Sequence, residues 1–145
     1  VGHGSRDIYM FRLAETYLIA AEAAVKANDN AKALMYINFI RQRASTNAPE
    51  GGLPLYSGTI TIDDVLDERA LELFGEVSRW NDLTRTGKLA ERVLEYNWDV
   101  SNINGAVKTE LSASTNAKFS LRPLPLAWLN SLSNGQELGN NPGWE

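Results

Sequence analysis

Three acids at helical spacing, Glu68, Glu72 and Glu76, stand in one short stretch with Arg69, Arg79, Asp82 and Arg85. Side chains four residues apart on a helix lie about 5–6 Å from each other, and glycoside hydrolysis uses two carboxyl groups about 5–9.5 Å apart. Spacing alone therefore admits an acid pair. Orientation argues against it, because hydrolytic acids flank the scissile bond from two directions, whereas acids on one helix face point the same way. The competing chemistry is ionic pairing. The planar fork of arginine holds carboxylates in set directions. Glu68, Arg69, Glu72, Glu76, Arg79, Asp82 and Arg85 are accordingly expected to form a partly buried structural network in which the acids pair with Arg69, Arg79 and Arg85. No catalytic residue is assigned.

The composition narrows the remaining chemistry. There is no cysteine, which removes thiol nucleophiles, disulfides and cysteine zinc sites. The one histidine, His3, lies in a Gly/Ser-rich leader, a poor place for a triad or a histidine metal site. No dense acidic loop specifies calcium, so neither a metal nor a cofactor is expected. With 14 Lys plus Arg against 18 Asp plus Glu and a net charge of −4, nothing provides a basic footprint for nucleic acid. No apolar run approaches the roughly 18 residues of a membrane span, and no signal peptide opens the chain.

Aromatic side chains offer a different kind of site. Sugar rings have apolar C–H faces that stack on Tyr and Trp, while neighbouring Asn, Asp or Arg bond the hydroxyls. Tyr56, Tyr96, Asn97 and Trp98 lie in or beside loops, where binding residues concentrate, and are the candidate ligand contacts. Trp80 and Trp128 are expected to pack.

The elements that must position these residues read as helices. From Ile8 to about Asn28, Phe11, Ala14, Tyr17, Leu18, Ala21, Ala24 and Val25 recur near a 3.6-residue period. Asn28, Asp29 and Asn30 break that helix, and a second follows with Ala33, Leu34, Ile37, Ile40 and Ala44 on its inner face. The two form an antiparallel hairpin over 7–46, resembling a single tetratricopeptide unit, with Ala21 and Ala33 at the close approach and Tyr17 and Ile37 around them. A lone unit cannot bury its faces, so part of its surface is expected to be exposed and apolar. Residues 45–60 carry Pro and Gly and form a loop. Thr61 then caps the helix that holds the acids, which is expected to continue with Leu66, Ala70, Leu73, Val77 and Trp80 on one side and Glu68, Glu72, Glu76 and Arg79 on an adjoining one. Gly87 is its stop. Lys88 to about Trp98 resumes as helix, with Leu89, Val93 and Leu94 on one side. Residues 99–120 read as irregular and 119–124 as extended. A short helix follows around Leu126 to Leu132, and the tail from Asn134 is anchored by Trp144.

Several segments together resemble the SusD/RagB family. Glu68, Arg69, Glu72, Leu73, Glu76, Arg79, Trp80, Asp82, Leu83, Arg85 and Gly87 match its signature, with Ala70 and Val77 departing where the family carries a second Arg and a Gly. The substitution at Val77 suggests a straighter helix. Phe11 through Ala23 resembles the family's L-R-x-A-E-x-x-L-x-x-A-E-A helix. Leu121-Arg122-Pro123-Leu124-Pro125 and Asn140-Asn141-Pro142-Gly143-Trp144 resemble its closing elements. The resemblance implies an all-α fold, in which the hairpin is followed by signature helices over 61–98 and an irregular C-terminal segment over 99–145, the whole read as one domain.

The same resemblance implies non-catalytic capture of an oligosaccharide or polysaccharide, or another nutrient, at the surface of the outer membrane, and delivery to a SusC-like TonB-dependent transporter. Family members are longer and lipid-anchored, so the chain, which begins at Val1, is read as a C-terminal portion with the anchor on the missing N-terminal part. The resemblance carries no binding residue over to this chain. A tetratricopeptide-like protein-interaction module is the alternative reading and a glycoside hydrolase a remote one.

Overall fold

A computed structural model describes residues 10–46, 48, 51–76, 79–102, 105–112 and 117–144. His3 and Val77 lie outside them. The described residues form ten helices and no strand, so the fold is all-α. They divide into two compact units, Val1–Val77 and Ser78–Glu145.

In the first unit, α1 (Leu13–Lys26) and α2 (Asn30–Thr46) form the hairpin. Asn28, with φ of 58°, takes the left-handed conformation that the reversal needs and that Asn tolerates better than most residues. Asp29 accepts the Lys32 N–H at 3.1 Å, satisfying a donor in the first turn of α2. Ala21, Ala33, Leu18 and Ile37 are fully buried, which lets the helix backbones approach closely. Helix α3 (Ile62–Glu72) closes the core with Val65, Leu66 and then Leu73 just past its end. Each large aliphatic side chain buried this way contributes about 1.5–3 kcal/mol. Thr61 caps α3 in a reciprocal box: its hydroxyl accepts the Asp64 N–H, and the Asp64 carboxylate accepts the Thr61 N–H at 2.8 Å. On the hairpin, Phe11, Leu13, Ile19, Met35 and Phe39 remain exposed.

The residues between the hairpin and α3 follow α2 closely. Asn38 donates to the Tyr56 carbonyl at 3.0 Å and accepts the Tyr56 N–H at 2.8 Å. Asn30 does the same for Gly58 and Ile60, both at 2.8 Å. Arg41 reaches the Pro54 carbonyl at 2.6 Å and Ser45 the Leu53 carbonyl at 3.2 Å. A polar ladder on one helix thus satisfies loop backbone groups that would otherwise depend on water.

The signature stretch is not one helix. α3 ends at Glu72, and residues 73–76 turn, with Gly75 at φ of +79°. A helix interior excludes that conformation, which only glycine takes without strain. The next helix, α4 (Arg79–Arg85), begins in the second unit. A 3.6-residue pattern cannot be carried through this break, so the straight helix and the continuous face joining Glu68 to Arg79 are both overturned. Gly87 does stop α4: at φ of +71°, it lets the Lys88 N–H bond back to the Leu83 carbonyl at 2.8 Å.

In the second unit, α5 (Leu89–Tyr96) follows as expected, with Leu89 buried and Val93 and Leu94 half-buried. Residues 99–120 differ from expectation, holding most of α6 (Trp98–Asn102) and all of α7 (Gly105–Ser112) and α8 (Ala117–Ser120). Their polar side chains bond within the helices instead of breaking them. Thr109 donates to the Gly105 carbonyl at 2.9 Å, Ser112 to Lys108 at 2.7 Å, and Asn102 to Trp98 at 2.9 Å. Buried Leu111 gives α7 an apolar anchor. The extended piece is consequently confined to 121–125, ahead of α9 (Leu126–Ser131) and α10 (Gly135–Leu138).

Replacing Ala33 by Leu should destabilise the protein by about 1–3 kcal/mol through overpacking, whereas Leu at exposed Ala31 should change stability by no more than about 0.5 kcal/mol. Urea denaturation followed by circular dichroism compares the two, and equal losses would contradict the close approach.

Candidate functional site

Glu68 and Glu72 of α3, and Glu76 in the turn after it, face arginines other than those the spacing suggested. Glu68, with 5% of its side chain exposed, accepts Arg41 Nε at 2.8 Å. Glu72 receives Arg12 and Arg43, each at 2.5 Å, and its main-chain carbonyl accepts a further hydrogen bond from Arg12. Glu76 takes Arg12 Nε at 2.8 Å. These cations come from the lead-in to α1 and from α2, partners beyond the Arg69, Arg79 and Arg85 expected from the signature stretch.

The other network residues are placed elsewhere. Arg69 is buried and lies 3.5 Å from Glu15 of α1. Arg79 opens α4 half-buried, and Asp82 is buried with Arg85 3.6 Å away. Hydrogen bonds donated to Glu72 and Glu76 raise the Arg12 pKa, against the opposing effect of burial. Each of the three carboxylates, Glu68, Glu72 and Glu76, is thus engaged by an arginine from another part of the chain. The arrangement suits joining elements.

The four candidate ligand residues are divided between the two units. Tyr56 belongs to the first unit, and the Arg41 guanidinium sits 3.7 Å from its ring centroid. Its hydroxyl donates to the Asp64 carbonyl at 3.3 Å. Burial pushes its phenol pKa up, with Arg41 pulling the other way. The ring is thus held by α2 on one side and by α3 through its hydroxyl.

Tyr96, Asn97 and Trp98 are consecutive at the junction of α5 and α6 in the second unit. Trp98 is 67% exposed and Tyr96 64%. Arg92 donates to the Tyr96 hydroxyl at 3.2 Å, holding that ring in place, and the Asn97 side-chain Oδ1 accepts the Val100 N–H at 3.1 Å, capping α6. The junction therefore presents an oriented phenol, an exposed indole and an amide. Trp80, expected to be buried, is 39% exposed with the Arg122 guanidinium 5.0 Å from its ring, and Trp128 is 47% exposed. Among the described residues no group of three or more His, Cys, Asp and Glu could hold a metal ion, and no helix is long and apolar enough to cross a membrane.

The closing segments have a positional role. Asn140 pairs with both backbone groups of Leu124, accepting its N–H at 2.7 Å and donating to its carbonyl at 3.2 Å. Asn141 donates to the Arg122 carbonyl at 2.6 Å. Trp144 Nε1 donates to the carbonyls of Lys118 and Leu121 at 3.0 and 3.1 Å, anchoring the tail as expected. The Asn-rich tail thus binds the extended segment as a neighbouring strand would, using side chains.

An all-α chain carrying these segments in this order defines a family. The chain belongs to the SusD family, whose model matches residues 1–144. It is similar to the starch-binding protein SusD of Bacteroides thetaiotaomicron, with 29% identity over 139 residues, covering 96% of this chain and 22% of that protein. A SusD-like protein of Formosa agariphila is 40% identical over 97 residues, 66% of this chain and 18% of the relative. A SusD-like protein of Bacteroides ovatus is 32% identical over 94 residues, 62% of this chain and 16% of the relative. The chain therefore spans about a fifth of the length of these relatives. No solved structure matches it significantly.

Replacing Arg41 by Met should lower stability by about 3–5 kcal/mol, because Glu68 is left buried and unpaired. The double change Arg41→Met with Glu68→Leu should recover most of that loss. Urea midpoints of the single and double variants measure both, and no recovery would mean that Arg41 acts mainly through Tyr56 and Pro54.

Proposed function

We propose that this protein binds a glycan without transforming it, as part of nutrient uptake at the outer-membrane surface, and passes it to a TonB-dependent transporter. The observation that carries this reading is membership of the SusD family over residues 1–144, with a relative named as starch-binding aligned over 96% of the chain. The ion pairs of Glu68, Glu72 and Glu76 favour a non-hydrolytic reading, since each carboxylate is already engaged by an arginine. In this reading a lipid anchor holds the protein at the membrane, and the arginine network joins helices.

Within the chain, Trp98 and Tyr96 are the side chains best suited to meet the glycan. An exposed indole beside an oriented phenol matches alternating apolar sugar faces, and Asn97 adds an amide for hydroxyl groups. Tyr56 takes no part, because its ring is engaged by Arg41.

Isothermal titration calorimetry with maltoheptaose, an α-glucan probe, and with a panel of β-linked oligosaccharides tests the reading. Binding without release of shorter sugars is expected, and Trp98→Ala should weaken it about tenfold, the equivalent of roughly 1.4 kcal/mol. Turnover of any probe, or the absence of binding across the panel, would overturn the proposal.

A further inference from the structure

The second unit contains a cleft of about 400 Å³ between the α4–α5 corner, the end of α7 and α8. Its size is near the lower end for small-molecule sites, which run from about 300 to 1,000 Å³. It lies at the opposite end of α5 from Tyr96, because Leu89 and Ala90 at the start of that helix help to line it.

The lining selects a ligand chemistry. Phe119, Leu83 and Leu111 supply an aromatic ring and an aliphatic floor. Thr84 and Ser112 add hydroxyl groups whose protons are committed to main-chain carbonyls, at 3.0 and 2.7 Å, leaving oxygen lone pairs to accept. Glu91 brings a carboxylate that the Lys88 ammonium holds through both oxygens at 3.0 Å. A purely apolar ligand would bury those acceptors without partners. An anionic one would have to compete with the Glu91 carboxylate for the Lys88 ammonium, which both carboxylate oxygens already engage. A neutral ligand with one C–H face and several hydroxyl donors satisfies every part of the lining.

From this we infer that the cleft formed by Leu83, Thr84, Glu91, Leu111, Ser112 and Phe119 is a subsite for one or two neutral sugar residues, with Phe119 as the stacking face. The inference rests on the glycan-binding reading and assigns to the protein a second contact, separate from Trp98. A glycan held at both places gains affinity because its second contact is intramolecular.

Hydrogen exchange of the unmodified protein with and without maltoheptaose, or whichever panel sugar binds, tests the cleft directly. Protection of residues 83–91 and 118–120 on adding the sugar is expected. Ala90→Trp, which fills the space, and Phe119→Ala, which removes the ring, should each weaken binding about tenfold in calorimetry, with circular dichroism confirming that each variant is folded. Sugar binding that Trp98→Ala weakens, but that gives no protection of these segments and is unchanged by Ala90→Trp, would overturn the cleft and leave the glycan reading standing. No sugar binding at all would overturn both.

Discussion

The burial of acidic side chains under arginines from other helices is the constraint on which the first unit depends. Glu68 and Glu72 sit on α3, yet their cations come from Arg41 and Arg43 on α2 and from Arg12 ahead of α1. Removing one ion from a buried pair is far more damaging than replacing both by apolar groups, so these contacts fix the arrangement more than they add net stability. Small residues reinforce that arrangement. Ala21 and Ala33 allow α1 and α2 to meet, and Val65 and Leu66 of α3 complete the core.

The second unit is organised differently. Its helices are short, and several depend on their own polar side chains or on the tail for definition. Asn140 supplies both a donor and an acceptor to Leu124, and Trp144 reaches two carbonyls at once. Aromatic residues that would be buried in a larger core remain at the surface, Trp98 and Trp128 among them. The two units therefore combine a tightly packed hairpin with a region rich in exposed rings.

The hairpin, the Thr61 cap, the Gly87 stop and the Trp144 anchor were legible in the sequence because each depends on local periodicity or local turn chemistry. The α3 break was not, because Gly75 sits inside an otherwise helical pattern and a lone glycine there is ambiguous. The helices of 99–120 were hidden by Ser, Thr and Asn, which signal loops in composition but here bond to carbonyls one turn back. Arg12, Arg41 and Arg43 were missed as partners because they lie far from the acids along the chain, and local spacing cannot report such pairings. The candidate aromatics divided on the same ground. Tyr56 was captured by Arg41, a distant residue, while Tyr96 and Trp98 kept the exposure suggested by their position between helices.

The polar ladder of α2 holds its loop almost entirely by the loop's main chain. Asn30, Asn38, Arg41 and Ser45 contact backbone groups of residues 53–60, and those groups are the same whatever side chains the loop carries. Tyr56 is the exception, because its ring is also used. The path of this connection is thus encoded in the helix beside it, leaving the loop's outward side chains free to diverge in sequence while its course is preserved.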